Sequence, residues 1–322
     1  MKIIYKLLFL FLLTIGYSSC DFLDIVPDEI TTEADAFKDR NAAKNFVYSC
    51  YGYLPQSNVA SGSLDLLTGD EVITAFEHET FASFPKGNYT ASSPVISYWN
   101  TFFQGLRQCY IFLENVDKVP DLTESVKTDY IAQVKFLIAY YHYQLARCYG
   151  PIILIKELPD VNASQAEYLP RTSYDECVDW ICNLLDEAAS SLPAIRTNKE
   201  DYGLATSVGA KAVKAKMLLY AASPLFNGNS SFYSNFTDKS GSQLMPLTYD
   251  PNKWVKAKTA IKEAIDLAEQ NGHALYVKQD YKIGNEDANP YPAAGPVRCL
   301  RTSLVDWDSR NPEVLLAETR SE

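Results

Sequence analysis

Apolar residues recur every three or four positions in six segments between residues 32 and 272, which is the spacing of amphipathic helices. The pattern predicts helices that begin near Thr32, Ser97, Ser125, Ser173, Thr206 and Asp250. Residues that end helices follow several of these segments, such as Pro120 and Gly272. The sequence therefore predicts a mainly α fold.

Side chains that can cap a helix stand at three of the predicted starts. Ser173 and Glu176 have the spacing of a capping box, in which the hydroxyl and the carboxylate each accept a hydrogen bond from a backbone amide. Thr206 stands at the start of an alanine-rich helix, and Asp250 is followed by Pro251, a pair typical of an N-cap and a first helical residue. These three starts are thus predicted by local chemistry as well as by periodicity.

The last four predicted helices form two pairs with similar spacing. The starts at Ser125 and Thr206 lie about 80 residues apart, and so do those at Ser173 and Asp250. The spacing of Trp254 and the alanines after it resembles the tetratricopeptide repeat, whose unit is two antiparallel helices. We therefore predict tandem tetratricopeptide-like helical hairpins with long inserted loops.

The amino terminus has the pattern of an export signal. Two lysines precede an apolar stretch at 7–15, and small residues precede Cys20. The stretch is shorter than the roughly 20 residues that a membrane-spanning helix needs, and the residues before Cys20 resemble a bacterial lipobox. We predict that residues 1–19 are a lipoprotein signal peptide, that Cys20 carries a lipid anchor, and that residues 20–31 form an acidic tether.

Charge and composition narrow the class of partner. Lys plus Arg total 29 against 40 Asp plus Glu, and the net charge of −11 repels phosphate backbones, so nucleic acid is not expected as a partner. Aromatic residues make up 13%, with 22 tyrosines, and tyrosine packs apolar surface while its hydroxyl meets water or a polar ligand. This composition fits a surface that binds neutral polar molecules, and it fits a tyrosine-rich core as well.

The sequence offers little for catalysis or metal binding. Glycine-rich nucleotide loops, zinc-ligand spacings and the nucleophile elbow G-x-S-x-G are absent from it. His142 lies between Tyr141 and Tyr143 in a predicted helix and is interpreted as a packed imidazole. We expect no enzyme activity, no cofactor and no metal site.

Six cysteines follow Cys20, at positions 50, 109, 148, 177, 182 and 299. An even number in an exported chain permits disulfides. All except Cys299 lie within helical patterns on or near apolar faces, where a free cysteine behaves as a small buried hydrophobe. Buried thiols are therefore favoured over a disulfide framework.

Seven motifs stand in a specific order along the chain. They lie at 20–24, 98–106, 132–145, 149–154, 170–173, 210–227 and 311–317. In sequence and order they resemble the SusD/RagB family of nutrient-binding lipoproteins from Bacteroidetes. The resemblance covers nearly the whole chain.

The resemblance implies binding rather than catalysis, on a scaffold of tandem helical hairpins. It implies a surface-exposed lipoprotein of the outer membrane that binds an oligosaccharide or another nutrient and delivers it to a SusC-like TonB-dependent transporter. The alternatives are a non-catalytic protein-interaction scaffold, a truncated product without ligand binding, and, less favoured, a surface hydrolase.

Four residues become candidates for ligand binding through the resemblance. It places an aromatic platform near Trp99 and Asn100, paired with aromatic residues in the loop after the last hairpin, here Tyr291 and Trp307. Sugar rings present apolar faces that stack on aromatic rings and hydroxyls that bind amides. The helical spacing of Trp99 fits a core position as well as a platform, and Trp307 in a polar loop is the better candidate.

The resemblance also divides the chain. Residues 32–272 correspond to the helical domain, and residues 273–322 to the start of a loop-rich binding subdomain. Relatives continue beyond the point that matches Glu322, so the chain looks like their amino-terminal part, truncated within that subdomain. The segment 314–317 is expected to be a short strand.

Overall fold

Helices form most of the molecule. The computed structural model describes residues 33–55, 80–160, 162, 169–276, 303 and 311–317. Its long helices are α1 (Arg40–Tyr51), α2 (Trp99–Asn115), α3 (Glu124–Tyr149), α4 (Tyr174–Ser191), α5 (Ser207–Ala222) and α6 (Asn252–Gln270). Shorter helical segments are Glu33–Ala36, Thr80–Ser83, Val116–Lys118, Lys199–Asp201 and Ser230–Tyr233. None of the described ranges contains a β-strand, and the predicted mainly α fold class is confirmed.

One predicted cap is present, and the second predicted cap residue lies one position before the N-cap of its helix. The hydroxyl of Thr206 accepts a hydrogen bond from the amide of Gly209 at 3.0 Å, so α5 begins where the sequence predicts. The carboxylate of Asp250 accepts a hydrogen bond from the amide of Asn252 at 2.9 Å. Because Asn252 is the first helical residue, Pro251 lies just outside α6 and not at its first position.

The predicted capping box at the start of α4 is not formed. Ser173 is the N-cap residue, but its hydroxyl makes no capping hydrogen bond to the described residues of the helix. The amide of Tyr174 instead donates to the carbonyl of Leu244 at 2.8 Å. A distant backbone carbonyl thus satisfies one of the unpaired amides at this helix start, which the local sequence pattern does not reveal.

Both predicted hairpins are present, since α3 packs along α4 and α5 packs along α6. Helix α4 also packs on α5, and α1 and α2 pack on each other and on α3, so helices that follow one another in the sequence are also neighbours in space. Small residues line the contact between α5 and α6, where Ala215, Ala260 and Ala264 are buried against Leu218 and Ile261. These alanines allow the two helices to approach closely.

Helix α3 lies at the centre of the main core. Its buried residues include Tyr141, which is fully buried and donates a hydrogen bond to the carbonyl of Cys50 in α1. Helix α2 approaches α3 at Gly105, where a Cβ atom would lie 3.0 Å from the Tyr141 ring and 2.9 Å from the Cβ of Tyr53. A side chain at position 105 would therefore push these helices apart.

His142 is a structural residue, as its place in the predicted helix indicates. It is fully buried, its Nδ1 lies 2.8 Å from the carbonyl of Ile138, and its Nε2 lies 3.1 Å from the amide of Ile155. Since an amide can only donate and a carbonyl can only accept, the proton is on Nδ1. Burial lowers the pKa of His142 from 6.5 to about 4, so the imidazole is neutral near pH 7.

The described ranges contain five cysteines, four of which are free thiols. Cys50, Cys109, Cys177 and Cys182 are buried, and Cys148 is half-buried. Burial raises the pKa of the Cys109 thiol, and so does its contact with Cys50. The interpretation as buried thiols is confirmed for these four residues, whereas Cys299 lies outside the described residues.

The strand expected at 314–317 is not formed. Residues 311–317 adopt turns and bends, and Leu316 is 38% exposed. The buried Asn311 shapes the segment, because its Nδ2 donates to the carbonyl of Ser303 at 2.9 Å and its Oδ1 accepts from the amide of Glu313 at 3.1 Å. The segment bonds to itself and to the residues after α6, and the described ranges contain no strand with which it could pair.

Candidate ligand-binding site

Trp99, the first residue of α2, lies in a cluster of aromatic and basic side chains. Its indole is half-buried, with the Phe103 ring at 4.9 Å and the Tyr149 ring at 5.2 Å between centroids, the latter edge-on. The guanidinium carbon of Arg171 lies over the indole at 5.4 Å from its centroid. These four residues, here called the Trp99 cluster, hold the indole in one orientation.

Hydrogen bonds between side chains and backbone groups fix the start of α2 and the end of α3 at this cluster. The hydroxyl of Tyr149 accepts a hydrogen bond from the amide of Tyr98, the N-cap residue of α2, at 2.9 Å. Arg171 donates to the carbonyls of Tyr149 at 3.3 Å and Pro151 at 2.9 Å. A cation is favoured there because the carboxyl end of a helix carries partial negative charge. The two helix ends therefore keep a fixed relation to the indole.

Asn100 is exposed and follows Trp99 directly. Trp99, Asn100 and Arg171 thus place an aromatic ring, an amide and a cation at one end of the helical body. A saccharide site combines such groups, because aromatic surface contacts the apolar face of a sugar and polar groups bind its hydroxyls.

Two of the four predicted binding residues can be located. Trp99 packs at the edge of the core while part of its surface remains accessible, so its role as an aromatic platform stays a prediction. Tyr291 and Trp307 lie outside the described residues, as does Cys20. Tyr149 and Arg171 are not among the predicted binding residues, although both stand in motifs of the family resemblance.

Two concave regions lie away from the Trp99 cluster, and neither was predicted. The larger has a volume of about 770 Å³ and lies between α1, the start of α3 and the segment that joins α4 to α5. The smaller, of about 250 Å³, lies between the segment 194–206, the residues after α6 and the segment 311–317. Only the larger falls within the roughly 300–1,000 Å³ usual for ligand pockets.

The described ranges contain no group of three or more His, Cys, Asp or Glu side chains placed to hold a metal ion. Among the same residues, no helix has the length and apolar character needed to cross a lipid bilayer.

Comparisons with known proteins identify the fold and the family. Residues 21–219 match the SusD-like_3 family model, described as starch-binding and associating with the outer membrane. The SusD-like protein P25 of Formosa agariphila is 23% identical over 230 residues, which cover 67% of this chain and 43% of that protein.

Two solved structures share the helical architecture. The protein named BT4246 is 36% identical, with a TM-score of 0.69 over 75% of this chain and 42% of its own. A laminarin-binding SusD-like protein is 21% identical, with a TM-score of 0.50 over 58% of this chain and 41% of its own. This chain therefore spans less than half the length of each of these relatives. With more than half of its residues matched by the family model, the chain belongs to the SusD-like family.

Proposed function

We propose that the protein binds an oligosaccharide or another nutrient at the cell surface and passes it to a SusC-like TonB-dependent transporter. The observation that carries this proposal is the Trp99 cluster, in which the guanidinium of Arg171 lies over an indole held by Phe103 and Tyr149. The exposed Asn100 follows Trp99 directly in α2. The family description as starch-binding supports a glycan as the cargo. The protein acts by binding and leaves the chemical bonds of its cargo intact.

Tyr291 and Trp307 are also part of this proposal, although they lie outside the described residues. The family resemblance implies that their aromatic side chains are paired with the platform near Trp99 and Asn100. Trp307→Ala is then expected to weaken retention of the same polysaccharides that Asn100→Ala affects. Equal retention of Trp307→Ala and the unaltered chain would remove Trp307 from the site.

Binding is tested by electrophoresis of the full chain, purified in detergent, through gels that contain starch, laminarin or another polysaccharide. We expect at least one neutral polysaccharide to retard the protein, and Asn100→Ala and Trp99→Ala to reduce the retardation. Trp254→Ala is the matched control, because Trp254 is 42% exposed on α6 and lies outside the cluster. Asn100 is exposed, so its replacement tests the site even if the Trp99 variant is unstable.

The alternative function is a protein-interaction scaffold. The observation that favours it is the exposure of three large apolar side chains on α6. Trp254, Val255 and Ile265 are 42%, 61% and 48% exposed. If no polysaccharide retards the chain, the proposed cargo is wrong and the scaffold alternative stands.

We further propose that Cys20 carries the lipid that tethers the protein to the outer membrane. Cells grown with labelled palmitate should yield a labelled protein, and Cys20→Ser should lose the label and leave the membrane fraction. The transporter proposal predicts that a TonB-dependent β-barrel copurifies with the tagged chain from native membranes. Purification without such a barrel after cross-linking would contradict delivery to a transporter.

A further inference from the structure

The larger of the two concave regions, here called the α1–α3 groove, has the composition of a binding site. Charged and aromatic side chains line it together with several hydroxyl groups. Its lining includes Lys44, Tyr48, Thr128, Asp129, Tyr130 and Arg196. Its volume of about 770 Å³ admits a ligand of several rings.

A bonded polar network fixes the shape of the groove. Arg196 donates two hydrogen bonds to the carboxylate of Asp129, at 2.9 and 2.8 Å, and two more to the carbonyl of Ala205, at 3.1 and 2.8 Å. Gln133 donates to the same carboxylate at 2.8 Å and accepts from the Tyr51 hydroxyl at 3.0 Å. The network joins α1, α3 and the segment before α5, so the groove exists before any ligand arrives, which lowers the cost of binding.

Two tyrosines give the groove aromatic surface. Tyr48 is 38% exposed, and the ammonium of Lys44 lies 5.4 Å from its ring centroid. Tyr130 is half-buried, and its ring packs edge-on against Phe112 at 6.5 Å, which anchors it to the core. Aromatic rings held in this way suit the apolar face of a sugar.

The charges of the groove favour a neutral ligand. Its lining contains two basic residues, Lys44 and Arg196, and three acidic ones, Glu124, Asp129 and Asp201. Arg196 and Asp129 neutralise each other in the network. The remaining charges have both signs, so the groove offers no concentrated field for a phosphate or a sulfate.

The groove is separate from the Trp99 cluster. Tyr130 lies near the amino end of α3, and Tyr149, which contacts Trp99, is the last residue of the same helix. At 1.5 Å per residue the two tyrosines are about 28 Å apart along α3. A ligand in the groove therefore does not fill the Trp99 cluster unless it is a long chain.

We propose that the α1–α3 groove is a second binding site, which takes a neutral oligosaccharide. The choice of a saccharide among neutral polar molecules rests on the proposed function. A long glycan that reaches both sites would be held more tightly than a short one, because the second contact is intramolecular.

The test begins with an array of neutral, sulfated and phosphorylated oligosaccharides, probed with the full chain. The neutral glycan that binds best is then titrated by calorimetry against the unaltered chain, Tyr48→Ala, Asn100→Ala and the double variant. We expect two short glycans per chain for the unaltered protein, one for each single variant and none for the double. For a longer glycan that reaches both sites, Tyr48→Ala should weaken binding about tenfold, the effect of losing one aromatic contact.

Two further variants keep the test decisive. Tyr249→Ala is the matched control, since Tyr249 is 56% exposed and lies outside the groove, and it should bind like the unaltered chain. Thr128→Trp fills the groove from an exposed position on α3. It should lose the same glycan that Tyr48→Ala loses, and it tests the groove even if Tyr48→Ala is unstable.

Each contrary result has a distinct meaning. If Tyr48→Ala and Thr128→Trp retain the stoichiometry of the unaltered chain while Asn100→Ala loses a site, the groove proposal is wrong and the proposed function stands. Retention of only sulfated or phosphorylated glycans overturns the assignment of a neutral ligand to the groove. If the array retains nothing, both the groove proposal and the proposed glycan cargo are wrong.

Discussion

The side chain of Asn227 bonds to both backbone groups of Asp250, since its Oδ1 accepts from the amide and its Nδ2 donates to the carbonyl, each at 2.9 Å. Asn227 follows α5 and Asp250 precedes α6, so this pair closes the loop 228–249. Gly228 allows the close approach, because it has a φ of 79° and a Cβ there would lie 2.3 Å from the amide nitrogen of Tyr249.

Asn227→Ala should destabilise the α5–α6 hairpin. Asn227 is only 3% exposed, and its loss leaves the amide and the carbonyl of Asp250 without these partners. We expect urea unfolding to show a loss of about 2 kcal/mol in the free energy of unfolding. Asn235→Ala, at an exposed site in the same loop, should change it by less than about 0.5 kcal/mol. Equal stability of the two variants would contradict this role.

Gly105→Ala should destabilise the contact between α2 and α3. Alanine favours a helix over glycine by about 1 kcal/mol, but here its Cβ would lie 3.0 Å or less from Tyr53 and Tyr141. We expect a net loss of about 1–3 kcal/mol from overpacking, measured by thermal or urea unfolding. Gln104→Ala is the control at the neighbouring exposed position. A Gly105→Ala chain more stable than the unaltered one would disprove the tight contact.

Acid should destabilise the protein through His142. Its pKa is about 4 when folded and 6.5 when exposed, so the unfolded chain binds the additional proton between these values. The destabilisation that His142 causes is close to zero above about pH 6.5 and grows as the pH falls. It reaches a loss of roughly 3 kcal/mol in the free energy of unfolding near pH 4.

The measurement is urea unfolding at about pH 7 and about pH 4.5. We expect the free energy of unfolding of His142→Asn to change less between the two pH values than that of the unaltered chain, even if the variant is less stable at both. His273→Asn, which alters a half-buried histidine after α6, should keep the full difference. An undiminished difference in the His142 variant would show that other groups cause the acid sensitivity.

Alkylation should distinguish the buried thiols from Cys148. The thiolate is the reactive form, and burial raises the pKa of Cys177 to about 11 and of Cys182 to about 12. In the native protein we expect iodoacetamide to modify the half-buried Cys148 faster than Cys109, Cys177 and Cys182, which should stay largely unmodified, as mass spectrometry of peptides can show. The same reaction in denaturant should modify all of them. Rapid native modification of Cys177 or Cys182 would contradict their burial.

Periodicity predicted the helices well because α1, α2, α4 and α6 each bury one stripe of apolar residues, whereas the central α3 is buried on nearly all sides over 136–146. Helix α3 starts within one residue of the predicted Ser125. The first predicted helix is divided in two, since a short helix at Glu33–Ala36 follows Thr32 and the apolar pattern continues across the break after it. The long helix begins at Arg40, where the carboxylate of Asp39 accepts from the amide of Ala42 at 2.8 Å.

Candidate binding residues were harder to predict than helices. Trp99 and Asn100 came from the family resemblance, whereas the contacts of Trp99 with Tyr149 and Arg171 require the end of α3 to pack against the start of α2. The α1–α3 groove depends on the pairing of Asp129 with Arg196, which lie 67 positions apart. Local patterns carry no information about such pairs, because any of the acidic residues could have been the partner.

The serial packing of the helices has a consequence for biosynthesis. During synthesis from the amino terminus, each new helix can pack on the helix made before it. Such local contacts favour rapid folding. The bond from the Ala205 amide to the Tyr51 hydroxyl, at 2.9 Å, spans 154 positions and must wait until α3 and α4 have been made. We expect it to form late and to fasten the first helix to a body that has otherwise assembled in order.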